Sequence, residues 1–337
     1  MTTVTANAFS KKERPQWYRE LSNYAHADRR RSTIQILTTF IPYIALWVLM
    51  AQLMIQGYPY WMVLSVALVQ ACLNVRIFII FHDCCHGSYF NSNKVNTIVG
   101  YMTGVLTFAP FRQWRSSHNA HHATAGNLDK RGRGDIMTLT VAEYKALPKL
   151  KRIKYRAYRN PVTIFLIGPI WNFIFLHRFW RKVDHKQERQ SVVITNILLA
   201  IAVGLMGYTI GFKNYVLIQF PVFYISGIMG IWLFYIQHQF ENVYWVDDDE
   251  WDPIKAGVIG SSYYNLPQIM HWISGNIGFH HIHHLMPRIP NYNLQQCFRE
   301  IREMQKINPI TLKKSLKSIW LNLFDEESQK LVGFRSI

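Results

Sequence analysis

Between residues 33 and 75 the chain carries no charged side chain, and between 192 and 240 it carries only Lys213. A helix rises 1.5 Å per residue, so about 20 apolar residues cross the hydrocarbon core of a bilayer. Each run is long enough to cross twice. Gly57-Tyr58-Pro59 divides the first run and Lys213 interrupts the second, and connections that short force antiparallel neighbours. The expected fold is therefore an all-α integral membrane protein, a single domain over 1–337 with four transmembrane helices in two hairpins. The spans are placed at about 33–55, 60–81, 192–212 and 215–236, with short interfacial helices and a cytosolic cap between and after them.

The 37 Lys and Arg residues set the orientation. Seven lie in 1–32, eighteen in 81–190 and ten beyond 236, whereas Arg76 is inside a span and only Lys213 falls in a turn on the opposite side. The positive-inside rule then puts 1–32, 82–191 and 237–337, both termini included, in the cytosol. The formal net charge of +17 suits anionic lipid headgroups, and an acidic protein partner. It does not suggest nucleic-acid binding, because the basic residues are spread over three segments and no binding motif accompanies them. Cys72, Cys84, Cys85 and Cys297 fall within a span or on the cytosolic side, so no disulfide framework is expected. About 32 polar residues precede the first apolar run, which does not read as a cleavable signal peptide.

Two shorter apolar pieces cannot cross alone. Residues 97–111 read as a helix dipping into the cytosolic leaflet, and 161–176, broken at Gly168-Pro169, as another interfacial segment. Residues 145–159 interleave basic side chains with Leu, Ile and Tyr, the pattern of an interfacial helix. The acidic run Asp247-Asp248-Asp249-Glu250 reads as a solvated loop.

Nine of the fourteen histidines are confined to three short clusters, each next to the cytosolic end of an apolar segment. His82 and His86 stand at i, i+4 where the second span runs out. His118, His121 and His122 repeat the i, i+3, i+4 spacing of His280, His283 and His284, and on a helix such residues share a face. Neutral imidazole is the commonest protein metal ligand. An exposed polyhistidine patch or a pH-sensitive cluster would explain one such stretch, but not three in equivalent places. Asp83 is positioned to accept a ring N–H from a neighbouring ligand. His238 stands just past the fourth span, as His82 does past the second. His271 reads as an ordinary polar contact, and His26, His177 and His185 carry no functional argument. Eight clustered imidazoles together with His238 exceed what one metal binds, so two ions are implied. An all-nitrogen donor set leaves iron, copper, nickel and zinc open.

The boxes His82-Asp83-x-x-His86, His118-x-x-His121-His122 and His280-x-x-His283-His284, set around two hairpins, resemble those of the membrane fatty acid desaturases. The likeness covers nearly the whole chain. The stretches 76–86, 127–132 and 275–278 are similar to bacterial acyl-lipid desaturases, above all to the delta-5 type of Bacillus. The resemblance implies a di-iron centre, dioxygen as co-substrate, and a cis double bond placed in saturated acyl chains of membrane phospholipids in the bacterial cytoplasmic membrane. It implies His82, His86, His118, His121, His122, His280, His283 and His284 as ligands, and His238 as a ninth outside the boxes. The extra His281 shares a face with His284, but the family pattern favours His280. Residues 285–337 contain no haem or iron–sulfur signature, so the electrons are expected from a separate ferredoxin or flavodoxin. A membrane hydroxylase or ketolase is the nearest alternative. A metal transporter fits less well, because transport sites lie near the bilayer midplane and these histidines lie outside the spans.

Overall fold

The computed structural model describes residues 14–132 and 134–337. Residues 1–13 and Arg133, part of the basic segments counted above, lie outside the described residues. Among the described residues, four helices are long and apolar enough to cross a membrane: α1 (Arg29–Ile55), α2 (Tyr60–His86), α6 (Lys186–Ile210) and α7 (Phe212–His238). Between the two hairpins lie α3 (Asn93–Leu106), α4 (Phe111–Thr124) and α5 (Lys149–Tyr158). The chain is thus an all-α integral membrane protein in its spanning part, as the apolar runs require.

Asp28 starts α1 by accepting from the Arg31 backbone N–H (3.0 Å), and Gly87, at φ +69°, ends α2 in the left-handed region that L side chains disfavour. The outward side of α1 is apolar, with Ile34, Leu37, Ile41 and Ile44 exposed. Its inward side buries Ser32, Gln35, Thr39 and Tyr43. Lipid tails are as apolar as leucine, so close packing and polar contacts hold such helices together. Accordingly Asn74 of α2 donates to Ser226 of α7 (2.8 Å), and Gln35 donates to Asn291 (2.9 Å). Arg76 is buried inside α2. Its Nε donates to Thr39 Oγ1 (3.1 Å), and its guanidinium lies over the Trp272 ring and donates to the Trp272 carbonyl.

The helices overrun the expected spans at the histidine end. α2 continues unbroken through His82 and His86, and α7 through His238. Lys213, expected in the second hairpin turn, instead lies in the first turn of α7, because Gly211 alone (φ +85°) reverses the chain. The 145–159 stretch is not one helix, for Pro148 separates residues 145–146 from α5. The interfacial segment expected over 161–176 is wound largely as π-helix, and the stretch 162–178 joins α5 at a bend of 56°. The two together are long and apolar enough to form a broken span or a re-entrant loop.

The cap contains a little β-structure that no periodicity announced. Strand β1 (Leu139–Thr140) pairs parallel with β4 (Leu323–Asp325), which pairs antiparallel with β5 (Lys330–Val332), while β2 (Tyr264–Asn265) pairs parallel with β3 (Ile310–Thr311). The acidic run is an exposed turn, as expected of a solvated loop, and it is also tied to its neighbour. Asp248 pairs with Lys130 and accepts from Asn127 Nδ2 (2.8 Å), fastening 244–248 to 126–130. A core of Leu21, Ile79, Ile277, Ile282, Leu285 and Leu294 anchors the short helix α8 (His280–Leu285) to α2 and to α9 (Asn291–Glu300).

Candidate metal centre

Four helix ends meet above the spans. The last turns of α2 bring His82 and His86, the second half of α4 brings His118, His121 and His122, α7 ends on His238, and α8 brings His280, His283 and His284. All nine imidazoles named as ligands from the sequence fall into two groups. One contains His82, His86, His118, His122 and His283; the other contains His121, His238, His280 and His284. Within each group one ring nitrogen per residue lies within 4.8 Å of every other. The i, i+4 pairs His82/His86, His118/His122 and His280/His284 each stay together, whereas His121 and His283, one residue before the end of such a pair, join the opposite group. Helical geometry accounts for this, since i, i+4 residues point about 40° apart and the intervening one is swung away by about 60° and 100° from the two.

The nitrogens face one another at short range. His238 Nε2 is 2.9 Å from His280 Nε2 and 3.0 Å from His121 Nε2, and His122 Nε2 is 3.1 Å from His118 Nε2 and 3.0 Å from His283 Nε2. Two carboxylates fix tautomers from behind. Asp83 Oδ1 lies 3.0 Å from His82 Nδ1, and Asp135 contacts His121 Nδ1, which places the ring protons on the Nδ1 atoms and turns the Nε2 lone pairs inward. Asp83 is itself held, its Oδ2 accepting from the Asn291 backbone N–H (2.7 Å) and side chain (2.8 Å). His86 Nε2 and His284 Nε2 are buried without any hydrogen-bond partner. Converging lone pairs and orphaned ring nitrogens in a dry site are costly unless a cation satisfies them. The donor set fits two metal ions.

Burial, reinforced by the neighbouring imidazoles, holds His118, His122, His280, His283 and His284 well below the ordinary imidazole range. Neutral rings are the form that ligates. Trp114 stacks on His118 (4.3 Å between centroids), and Phe234 packs against His121 (5.2 Å) and His238 (5.3 Å), so an aromatic ring lies against a histidine of each group. A cavity of about 10 Å³ touches His121, His238 and Asp135.

His281 is fully buried but belongs to neither group. Its ring lies beside Tyr263 and Phe298, and burial pushes it down to about 3. His271 stacks on Phe279 (4.8 Å) and its Nε2 accepts from the Leu266 N–H (3.4 Å), a structural contact as expected. Asp135 is the site residue that the sequence reading passed over. Its one local signal is the glycine before it. Gly134 has φ +80°, and a Cβ there would stand 2.7 Å from the Ser117 carbonyl, so only glycine lets this loop lie against α4 and aim Asp135 at His121.

Comparison with known proteins agrees with this architecture. The family described as fatty acid desaturase matches residues 58–312. A fatty acid desaturase of Bacillus subtilis (strain 168) is 43% identical over 322 residues, covering 96% of this chain and 91% of that protein. An sn-1 oleoyl-lipid 12-desaturase of Picosynechococcus sp. is 27% identical over 261 residues, 73% of this chain and 70% of that one. An sn-1 acyl-lipid omega-3 desaturase (ferredoxin) of Synechocystis sp. is 28% identical over 248 residues, 70% of this chain and 66% of the other. All nine clustered histidines lie within the matched residues, so the stretch that builds the centre is also the one by which this chain belongs to the fatty acid desaturase family.

Proposed function

We propose that this desaturase is an oxygen-dependent di-iron enzyme that introduces a cis double bond into saturated acyl chains of membrane phospholipids. The observation that carries the reading is the gathering of nine imidazoles into two adjacent groups at the ends of membrane helices. His82, His86, His118, His122 and His283 would hold one iron, and His121, His238, His280 and His284 the other. The iron pair, with dioxygen, would supply the oxidising power to remove hydrogens from an unactivated methylene pair, which no side chain possesses.

The chain's own residues do the rest. Asp83 and Asp135 keep the His82 and His121 rings in the tautomer that presents Nε2 inward. Trp114 and Phe234 set an apolar ring against a histidine of each group, on His118 and His121. In the balanced reaction the acyl chain gives up two hydrogens, two electrons and two protons come from outside, and dioxygen leaves as two waters.

The electrons come from a separate small acidic protein, a ferredoxin or flavodoxin. This reading is supported by the basic side chains of α5 and by the ferredoxin named for the Synechocystis relative. The lysine and arginine distribution supports a bacterial cytoplasmic membrane location with both termini in the cytosol.

Feeding a saturated acid to cells that express the protein tests the reaction. New cis alkenes in the phospholipids, lost when air is withdrawn, are the expected result, and the delta-5 resemblance is checked by the bond position in the same lipids. Hydroxy or keto lipids without alkenes would move the assignment to a hydroxylase or ketolase. Metal flux in proteoliposomes that is indifferent to dioxygen would point to transport instead.

A further inference from the structure

The turn leading into α6 and the first two turns of that helix form an open groove of about 1040 Å³ whose walls include Trp180, Lys182, Lys186, Arg189, Val193 and Ile194. α6 and α7 are an antiparallel hairpin, so this end of α6 is level with His238 at the end of α7. Three hydrogen bonds tie it to the histidine-bearing α4. The Arg112 backbone N–H donates to Ser191 Oγ (2.9 Å), Arg112 Nη1 to Gln187 Oε1 (2.7 Å), and Gln113 Nε2 to Asp184 Oδ2 (2.7 Å). The groove therefore opens where the span leaves the membrane, on the side of the metal centre.

Its charge is one-sided. Asp184, the carboxylate in its wall, is buried and already neutralised by Arg181 (2.9 Å). Glu188 is buried and turned back to accept from the His185 N–H (2.8 Å). Arg189 is held by backbone carbonyls, its Nε donating to Asp184 O (2.8 Å) and its Nη2 to Lys182 O (3.4 Å). Among the described residues, neither Arg189 nor the exposed Lys182 and Lys186 has a carboxylate partner. Beside these three cations the surface is apolar and exposed: Trp180, Val193 and Ile194.

We propose that this groove is a binding site for an anionic phospholipid, its phosphate lying between Lys182, Lys186 and Arg189 and an acyl chain running along Val193 and Ile194. Trp180 stands where indoles favour the headgroup layer, and each basic side chain near an anionic membrane surface strengthens attachment. A soluble phosphate ester would leave the apolar wall uncovered, whereas a lipid covers both. The site uses none of the clustered histidines, so it stands or falls separately from the metal centre.

The test is binding of fluorescently labelled phosphatidylglycerol and phosphatidylcholine to the purified full-length protein in neutral detergent. Phosphatidylglycerol should bind more tightly. The triple variant Lys182→Gln, Lys186→Gln, Arg189→Gln should weaken it at least about tenfold, with phosphatidylcholine binding and metal content unchanged. The double variant at the two exposed, partnerless lysines does not threaten folding and should give a smaller loss in the same direction. Equal affinity of the parent for the two lipids, or unaltered phosphatidylglycerol affinity in the double variant, would overturn the assignment. Displacement of the lipid by glycerol phosphate as effectively as by unlabelled phosphatidylglycerol would overturn it too, by showing a site for soluble anions.

Discussion

His238 Nε2 and His280 Nε2 lie 2.9 Å apart, although 42 positions of sequence separate them and one ends a membrane helix while the other begins a one-turn helix in the cap. The contact joins the span to the cap through the metal centre. His238→Ala leaves three imidazoles in its group, and bound metal should fall toward half the parent value, with double-bond formation abolished and the protein still membrane-inserted. His281→Val should keep its metal and most of its activity, because its ring lies among Tyr263 and Phe298. Metal content of the two variants decides the matter, and a replete His238→Ala beside a depleted His281→Val would show the ligand set to be wrong.

The carboxylate behind His121 should matter almost as much as a ligand. Asp135→Asn removes the charge that fixes the ring proton on Nδ1, and loss of such a partner typically weakens metal binding about 10- to 100-fold. Competition with a chelator measures this. Retention equal to the parent protein's would mean that Asp135 does not orient His121.

The parts of the centre differ in how legible they were. His82 and His86, and the repeated triads, are local patterns on single helices, so spacing makes them visible as candidates, while the choice of His280 over His281 rests on the family resemblance. The allotment of His121 to one group and its neighbours His118 and His122 to the other depends on how α4, α7 and α8 cross, which no local periodicity records. Asp135 reaches His121 through an irregular loop 14 residues on, beyond the reach of any helical repeat. The spans were legible because long runs of them, Arg76 and Lys213 apart, carry no charge. Their overrun through His82, His86 and His238 was less so, because the hydrophobic pattern stops at the membrane while the helix does not.

Acid should destabilise the metal-free protein. Burial holds His118, His122, His280, His283 and His284 below the value of about 6.5 that they would have when unfolded. The unfolded chain therefore binds more protons as the pH falls below about 6.5, and the stability given by the neutral rings, fully present above that value, is lost progressively below it. Thermal unfolding of the metal-free protein should come at a lower temperature at about pH 5 than at about pH 7.5, and the metal-loaded protein should release its ions over the same acid range. A melting temperature that does not change between the two would contradict the burial of neutral imidazoles.

Docking of the electron donor should be electrostatic. Lys149, Lys151 and Lys154 are exposed on α5, whereas Arg152 and Arg156 are engaged by the Leu147 carbonyl and the Tyr144 hydroxyl. Replacing the three lysines with Gln should slow reconstituted turnover at low salt. Raising the ionic strength should slow the parent toward the same rate, as the Debye length shrinks from about 10 Å at 0.1 M to about 3 Å at 1 M. Turnover indifferent to both changes would remove α5 as the docking face.

The central claim is that the two histidine groups hold a pair of irons, and the metal content of the purified full-length protein tests it most directly. Elemental analysis should find iron at two per chain, one for each group, with neither group's share surviving the loss of its ligands. Zinc at two per chain with no iron would contradict it.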